Sequence, residues 1–276
     1  MAFVVLGTLA TFAIFASTTI TNSPEVGTVI GGDRGIFPGS AFTGFPPGEV
    51  TGTMYGAGSY AGTVKGDAQV AYDDAAGQAS TTTLTSVDLG GMSLSPGVYK
   101  FDDTAALSAG QLFLDAGGDA DAVWIIQIGS SLNIAAATEV LFTSGVGNAN
   151  NVVWQVGTSA TLNAGCAFIG NLLASASVAC KAGASVQGRL VGLNGAVTLI
   201  DNTVSFPDVT PTGVPSGQPT GVPSSAPSVS SEPTVSAAPT SPSQVPTSKP
   251  SGLPSFSPTS ATELLTNSGG GSDEAD

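Results

Sequence analysis

The sequence predicts a β-solenoid with one helix lying along it. Three observations carry that expectation. Between Asn151 and Phe206 the chain repeats itself as NVVWQVGTSATLNAGCAFIG, NLLASASVACKAGASVQG and RLVGLNGAVTLIDNTVSF. Each lap of about 18–20 residues holds three short apolar or alternating runs separated by Gly, Asn or Ser, a coil too small to bury its apolar face until it stacks on the next. Only one segment, from Ser59 to Gln78, carries an apolar stripe at helical spacing.

Taken in order, Met1 to Ser17 is apolar and ends Ala-Ile-Phe-Ala-Ser. That suits a signal-peptide core and cleavage site as well as a buried first strand. It lacks a basic leader, and Gly7, Thr8 and Thr11 interrupt it. Thr18, Thr19, Thr21 and Asn22 end the run too early for a membrane span. Residues 18–58 read as short strands with Gly/Pro punctuation: TTITN, GDRGIFPGSAFTGFPPG and VTGTMYG.

The helix is expected over about residues 59–79, with Val64, Ala68, Ala71, Tyr72, Ala75 and Ala79 on one stripe. Its interior glycines weaken it in isolation, so it should need the solenoid wall as a partner. From Thr81 the strand pattern returns. The pieces IIQIGSSLN (125–133) and VWQVGTSATLN (153–163) match each other, which ties this region to the later laps.

After Asn202 the pattern fades. Thirteen of the 18 prolines lie at or beyond Pro207, at first one in every four residues amid Ser, Thr and Gly. Such a segment lacks the apolar area to fold. The expected organisation is a solenoid domain over 3–207 and a disordered Pro/Ser/Thr-rich spacer over 208–276, its hydroxyls suited to O-glycosylation.

Composition excludes several functions. A net charge of −14 with six Lys+Arg argues against nucleic acid and anionic membrane surfaces. The absence of histidine removes the usual general base, the Ser-His and Cys-His pairs and the commonest zinc ligand. Cys166 aligns with Ala184 and Cys180 with Leu162 in the laps, so the two are not stacked and are expected to be buried free thiols.

Acidic residues give little chemistry. DAGGDADA (115–122) has the look of a calcium loop, but a polar turn between strands explains it equally. Asp88, Asp102, Asp103 and Asp201 are scattered rather than paired as a glycosidase requires. Asp73 and Asp74 fit the solvated face of the helix. No cofactor or metal is expected.

The second run of each lap is more informative. With Leu162, Cys180 and Leu199 inward, Thr161, Ala179 and Thr198 point outward in one column, with Asn163, Lys181 and Ile200 beside them. Ser131 and Asn133 one coil earlier, and Thr19 and Thr21 in the first strand, are grouped with them. Thr19, Thr21, Ser131, Asn133, Thr161, Asn163, Ala179 and Thr198 are therefore the candidate binding face. It is flat, small and weakly polar, an unusual surface to leave in water.

Five ordered blocks, LGTLATFAIFASTTITN, GDRGIFPGSAFTGFPPG, DLGGMSLSPGVYKF, NVVWQVGTSATL and GNLLASASVACKAGASVQGRLVGLNGAVTLIDNTVSFP, resemble the ice-binding-like family of microbial and algal antifreeze proteins. The resemblance covers about residues 5–207. It implies a right-handed, discontinuous β-solenoid of triangular cross-section with one long helix alongside, and a first folded stretch at Leu6–Asn22. It also implies adsorption to an ice crystal surface by a flat face, with thermal hysteresis and inhibited recrystallisation, and no catalysis. A monomer outside the cell or at its surface is expected, its tail meeting extracellular polysaccharide or the cell surface. Two other readings stay open on the same solenoid: a non-enzymatic adhesin, and a polysaccharide-active enzyme.

Overall fold

A computed structural model describes residues 3–23 and 27–205, a mostly β, parallel-stranded solenoid with one α-helix. The expected spacer over 208–276 lies outside the described residues. Every strand pairing is parallel, and the pairings form three ladders.

The first wall contains Gly97–Phe101, Trp124–Ile128, Val152–Val156, the 171–174 half of Ala167–Ala174, the 189–192 half of Ser185–Gly192, Phe12–Ala16 and Asp33–Ile36. The second runs through Ala105–Leu107, Leu132–Ile134, Ala160–Leu162, Val178–Cys180, Val197–Leu199, Thr19–Asn22 and Ala41–Thr43. The third joins Gln111–Leu114, Glu139–Phe142, residues 167–169 and 185–187, Thr203–Ser205, Val29–Gly31 and Glu49–Val50.

Spatial order departs from chain order. The first strand, Phe12–Ala16, lies between Ser185–Gly192 and Asp33–Ile36, so the last coil of the chain docks on the first. Residues 33–55 extend the stack in one direction. The helix leads the chain away, and from Thr82 the coils build towards the first one.

Inward side chains make continuous columns, for example Ile126, Trp154, Leu172, Leu190 and Ile14. They form the central core, all essentially without exposure. Consecutive first and third walls meet at corners where the chain bends. At Gly188 (φ +152°) an added Cβ would sit 2.0 Å from the carbonyl oxygen of Gly170, so only glycine turns this corner without displacing the coil beneath.

Lap length stays at 18–19 residues only across the repeat at 151–206. Val153 pairs with Asn171 and Asn171 with Arg189, offsets of 18, but Ile125 pairs with Val153, an offset of 28. The additional residues lie at the corner between third and first walls, where Thr143–Gly145 and Ala149–Asn151 form 3₁₀ turns. The 115–122 acidic loop occupies the same corner one coil earlier.

The helix spans Ser59–Gly77 and buries Ala61, Val64, Ala68, Ala71 and Ala75. It ends before Ala79, which is exposed rather than part of the stripe. The chain is already extended at Gln78, and the last turn is closed from outside: Gln127 Nε2 donates to Ala75 O (2.8 Å) and Gln78 O (2.7 Å). Nineteen residues at about 1.5 Å each cover roughly six strand spacings of ~4.8 Å. The contacts follow that advance: Lys65 Nζ donates to Ser17 Oγ (2.6 Å), Gln155 Nε2 to Tyr72 Oη (2.8 Å), and Gln127 reaches the end. A second core of Val64, Ala68, Phe15, Val153, Leu173 and Val191 fills the seam.

Two buried cations finish the packing. Arg34 caps the coil at the end of the stack with its guanidinium over Phe42 and Phe45 (5.0 and 3.9 Å to the ring centroids). Arg189 donates to Asn150 Oδ1 (2.7 Å), Asn171 Oδ1 (2.6 Å) and Ala10 O (2.6 Å), tying the N-terminal turn onto the first wall. Burial lowers both guanidinium pKa values to about 10, so both stay charged at neutral pH.

Asp67 adds a titratable tie between helix and N-terminal turn, accepting from the Thr8 hydroxyl (2.7 Å) and backbone N–H (2.6 Å). These bonds, the hydroxyl's first, hold its pKa below the ordinary value. A depressed carboxylate contributes stability that is present above the unfolded pKa near 3.9 and is lost as pH falls through the folded value. Thermal unfolding followed from pH 7 to pH 2 should show this decline, and Asp67→Asn should flatten part of it.

Candidate functional site

The helix and the N-terminal turn cover the outer face of the first wall, leaving the second and third walls to face solvent. On the second wall each short strand holds its outer residues inward and its middle residue outward, as in Leu132-Asn133-Ile134, Ala160-Thr161-Leu162 and Val178-Ala179-Cys180. The register sets Ala106, Asn133, Thr161, Ala179, Thr198, Thr21 and Thr43 in one straight outward column. Adjacent members are about 4.8 Å apart, the spacing of paired strands.

A second column, Ser131, Ser159, Ser177, Ala196 and Thr19, runs along one margin, kept in line by ladder bonds such as Leu132 N–H to Ser159 O (3.2 Å) and Ala160 N–H to Ser177 O (3.0 Å). All eight sequence-predicted residues therefore lie on this wall. Seven face outward in the two columns. The eighth, Asn163, sits on the opposite margin and is turned onto the wall itself.

Hydrogen bonding divides these polar groups in two. Ser159 Oγ accepts from the Ser177 N–H (3.3 Å) and Ser177 Oγ from the Ala196 N–H (3.1 Å), so both hydroxyls lock one coil to the next. Asn163 Nδ2 donates to Ile134 O (2.8 Å) and Asn133 Oδ1 (2.9 Å). That orients the Asn133 amide with its NH₂ available outward. By contrast Thr19, Thr21, Thr43, Thr161 and Thr198 make no side-chain hydrogen bond among the described residues. Their hydroxyls are open to water.

Thr43 belongs to the column and was not anticipated. It lies in the Gly/Pro-dense GSAFTGFPPG segment, which has no lap-like run to align; only the pairing of Thr21 with Thr43 reveals it.

The third wall is chemically different. Its outward positions include Glu139 and Glu49, with Gln111 Nε2 bonded to Glu139 Oε2 (2.6 Å), and the bulky Phe113, Leu141 and Ile169. It offers neither uniform height nor low charge.

The acidic groups are used locally. Asp115 and Asp119 accept from the N–H groups of Gly117 (3.0 Å) and Asp121 (2.9 Å) inside their loop. Asp88 binds the N–H groups of Gly90 and Ser108, and Asp102 pairs with Lys100 at 2.8 Å. Among the described residues no three His, Cys, Asp or Glu side chains gather as a metal site.

Beneath the column, Cys180 stacks on Leu162, as the laps indicated, while Cys166 lies under the following corner. Both are free and buried. Burial pushes the Cys166 thiol up to about 11; burial first, and then Cys166, push Cys180 up further. Neither should react with iodoacetamide at pH 8 in the folded protein, and both should react once it is unfolded.

Three comparisons bear on this architecture. A family model described as Ice-binding-like matches residues 14–205. The chain is 40% identical over 201 residues to an ice-binding protein of Nostoc sp. (strain HG1), covering 72% of this chain and 73% of that one. It is 34% identical over 217 residues to an ice-binding protein of Flavobacterium frigoris (strain PS1), covering 73% and 76%. A crystal structure of an ice binding protein from an Antarctic biological consortium superposes with a TM-score of 0.70 at 37% identity, over 73% of this chain and 90% of that one. One from the Antarctic ascomycete Antarctomyces psychrotrophicus gives 0.68 at 35% identity, over 73% and 97%.

Proposed function

Because the chain belongs to the ice-binding-like family, whose members are non-enzymatic ice binders, we propose that it adsorbs to ice through the second wall. The observation that carries this is the contrast in hydrogen bonding: the threonine hydroxyls of the central column are not engaged by the protein, on a wall whose strands are locked together by other groups.

The mechanism follows from elementary hydration. Hydroxyls and the Asn133 amide anchor waters at the strand spacing, while threonine methyls and Ala106 and Ala179 confine them between anchors. Each anchored water contributes little. Many act together because a stacked β-wall holds their spacing fixed, so the ordering entropy is already met before ice is encountered. Adsorbed protein then leaves the ice front to grow only as curved surface between molecules, which lowers the growth temperature and slows recrystallisation.

In the same reading the coil is right-handed, the sense favoured for parallel crossovers, and triangular in cross-section, as three ladders meeting at corners suggest. Residues 3–207 act as a monomeric binding domain and 208–276 as a spacer. The Pro/Ser/Thr composition favours a setting outside the cell or at its surface, where the spacer meets extracellular polysaccharide.

Thr161→Tyr and Thr198→Tyr each place a ring above the plane at its centre. Each should remove most of the thermal hysteresis at unchanged melting temperature, because the ring lifts neighbouring anchors from the ice as well as its own. Thr203→Tyr, on the third wall, should leave hysteresis as in the parent. Nanolitre cryoscopy with parallel melting curves reads both; the opposite ranking would move the site to the third wall.

A further inference from the structure

The second wall is even along one margin and broken along the other, and we infer that Lys181, with Ile200 beside it, limits the ice-binding face rather than contributing to it. The inference rests on the second wall being that face.

One margin carries only small side chains, Ser131, Ser159, Ser177, Ala196 and Thr19. The other reads Ala135, Asn163, Lys181, Ile200 and Ser23. Its first three residues continue the ladder in register, their N–H groups donating to Leu107 O (2.9 Å), Ile134 O (2.9 Å) and Leu162 O (2.8 Å). The next rung departs. Ile200 N–H turns to Asn202 Oδ1 (2.6 Å) instead of continuing to Cys180. Asn202 Nδ2 in turn holds Lys181 O (2.8 Å) and Ala184 O (3.0 Å). The ladder therefore drops a hydrogen bond where the margin also gains its two largest side chains, and resumes at the next rung, where Ser23 N–H donates to Leu199 O (2.8 Å).

Lys181 is exposed, and its amino group has no hydrogen bond or ion pair among the described residues. The other described cations are all held: Arg34 and Arg189 are buried, Lys65 binds Ser17 and Leu193 O, and Lys100 pairs with Asp102. Nothing keeps the Lys181 side chain flat. An ammonium is strongly hydrated, on a flexible four-carbon stem. Close approach of ice would have to disturb that hydration or immobilise the stem, and both oppose adsorption at this margin. Ile200 adds branched bulk one rung beyond Lys181, on the margin where Asn163 lies folded onto the wall.

The test uses the full chain and compares Lys181→Thr, Lys181→Gln and Thr161→Tyr with the parent by hysteresis and melting temperature. Lys181→Thr should raise hysteresis roughly twofold or more, the scale of releasing one rotamer-rich side chain from immobilisation, with unchanged melting. Lys181→Gln should rise less, since it removes the charge and keeps much of the stem. Hysteresis of Lys181→Thr at or below the parent, while Thr161→Tyr loses its own, would overturn the inference and leave the face where it is. Full hysteresis in a folded Thr161→Tyr would overturn the choice of face, and this inference with it.

Discussion

The structure depends on in-register parallel stacking. No coil has a core of its own, because a lap of 18 residues gives each wall only three to five positions. Apolar side chains become buried only when the same place in the next coil is also apolar. Columns such as Ile126, Trp154, Leu172, Leu190 and Ile14 express that constraint. The first strand obeys it from the other end of the chain, by docking on the last complete coil.

Stacking has a consequence on the outside. Because inward residues must align, the residues between them align as well, and any outward column becomes a straight row at strand spacing. What distinguishes the three walls is what stands in those rows. The first carries Ile125, Val153, Leu173 and Val191 and requires the helix. The third carries acids and bulky apolar groups. The second carries threonine, alanine and one oriented asparagine. A rigid row of weak water anchors thus follows from the packing of the interior rather than from a dedicated motif.

Much of this was legible in the sequence. The repeat at 151–206 exposed the laps, and period-two alternation placed Leu162 inward and Thr161 outward. The helix was readable from Val64, Ala68, Ala71 and Ala75, although its end was not: Gly77 precedes the Ala79 that continues the stripe, and the chain turns extended at Gln78. The 28-residue coil was hidden because its insertion lies at a corner, where no inward column constrains length. Thr43 was hidden for a related reason, since its coil is built from Gly and Pro turns. Side-chain bonding was wholly out of reach: nothing in the letters separates Asn163, clamped across two strands, from Thr161, which is not.

Adsorption to ice is then a property of the purified protein alone. It is tested most directly by growing single ice crystals in its presence in a nanolitre cryoscope and following polycrystalline ice held just below melting. Faceted crystals, a gap between melting and growth temperatures, and grains that stop coarsening are expected. Round crystals and freely coarsening ice, from protein whose circular dichroism and melting curve show it folded, would contradict it.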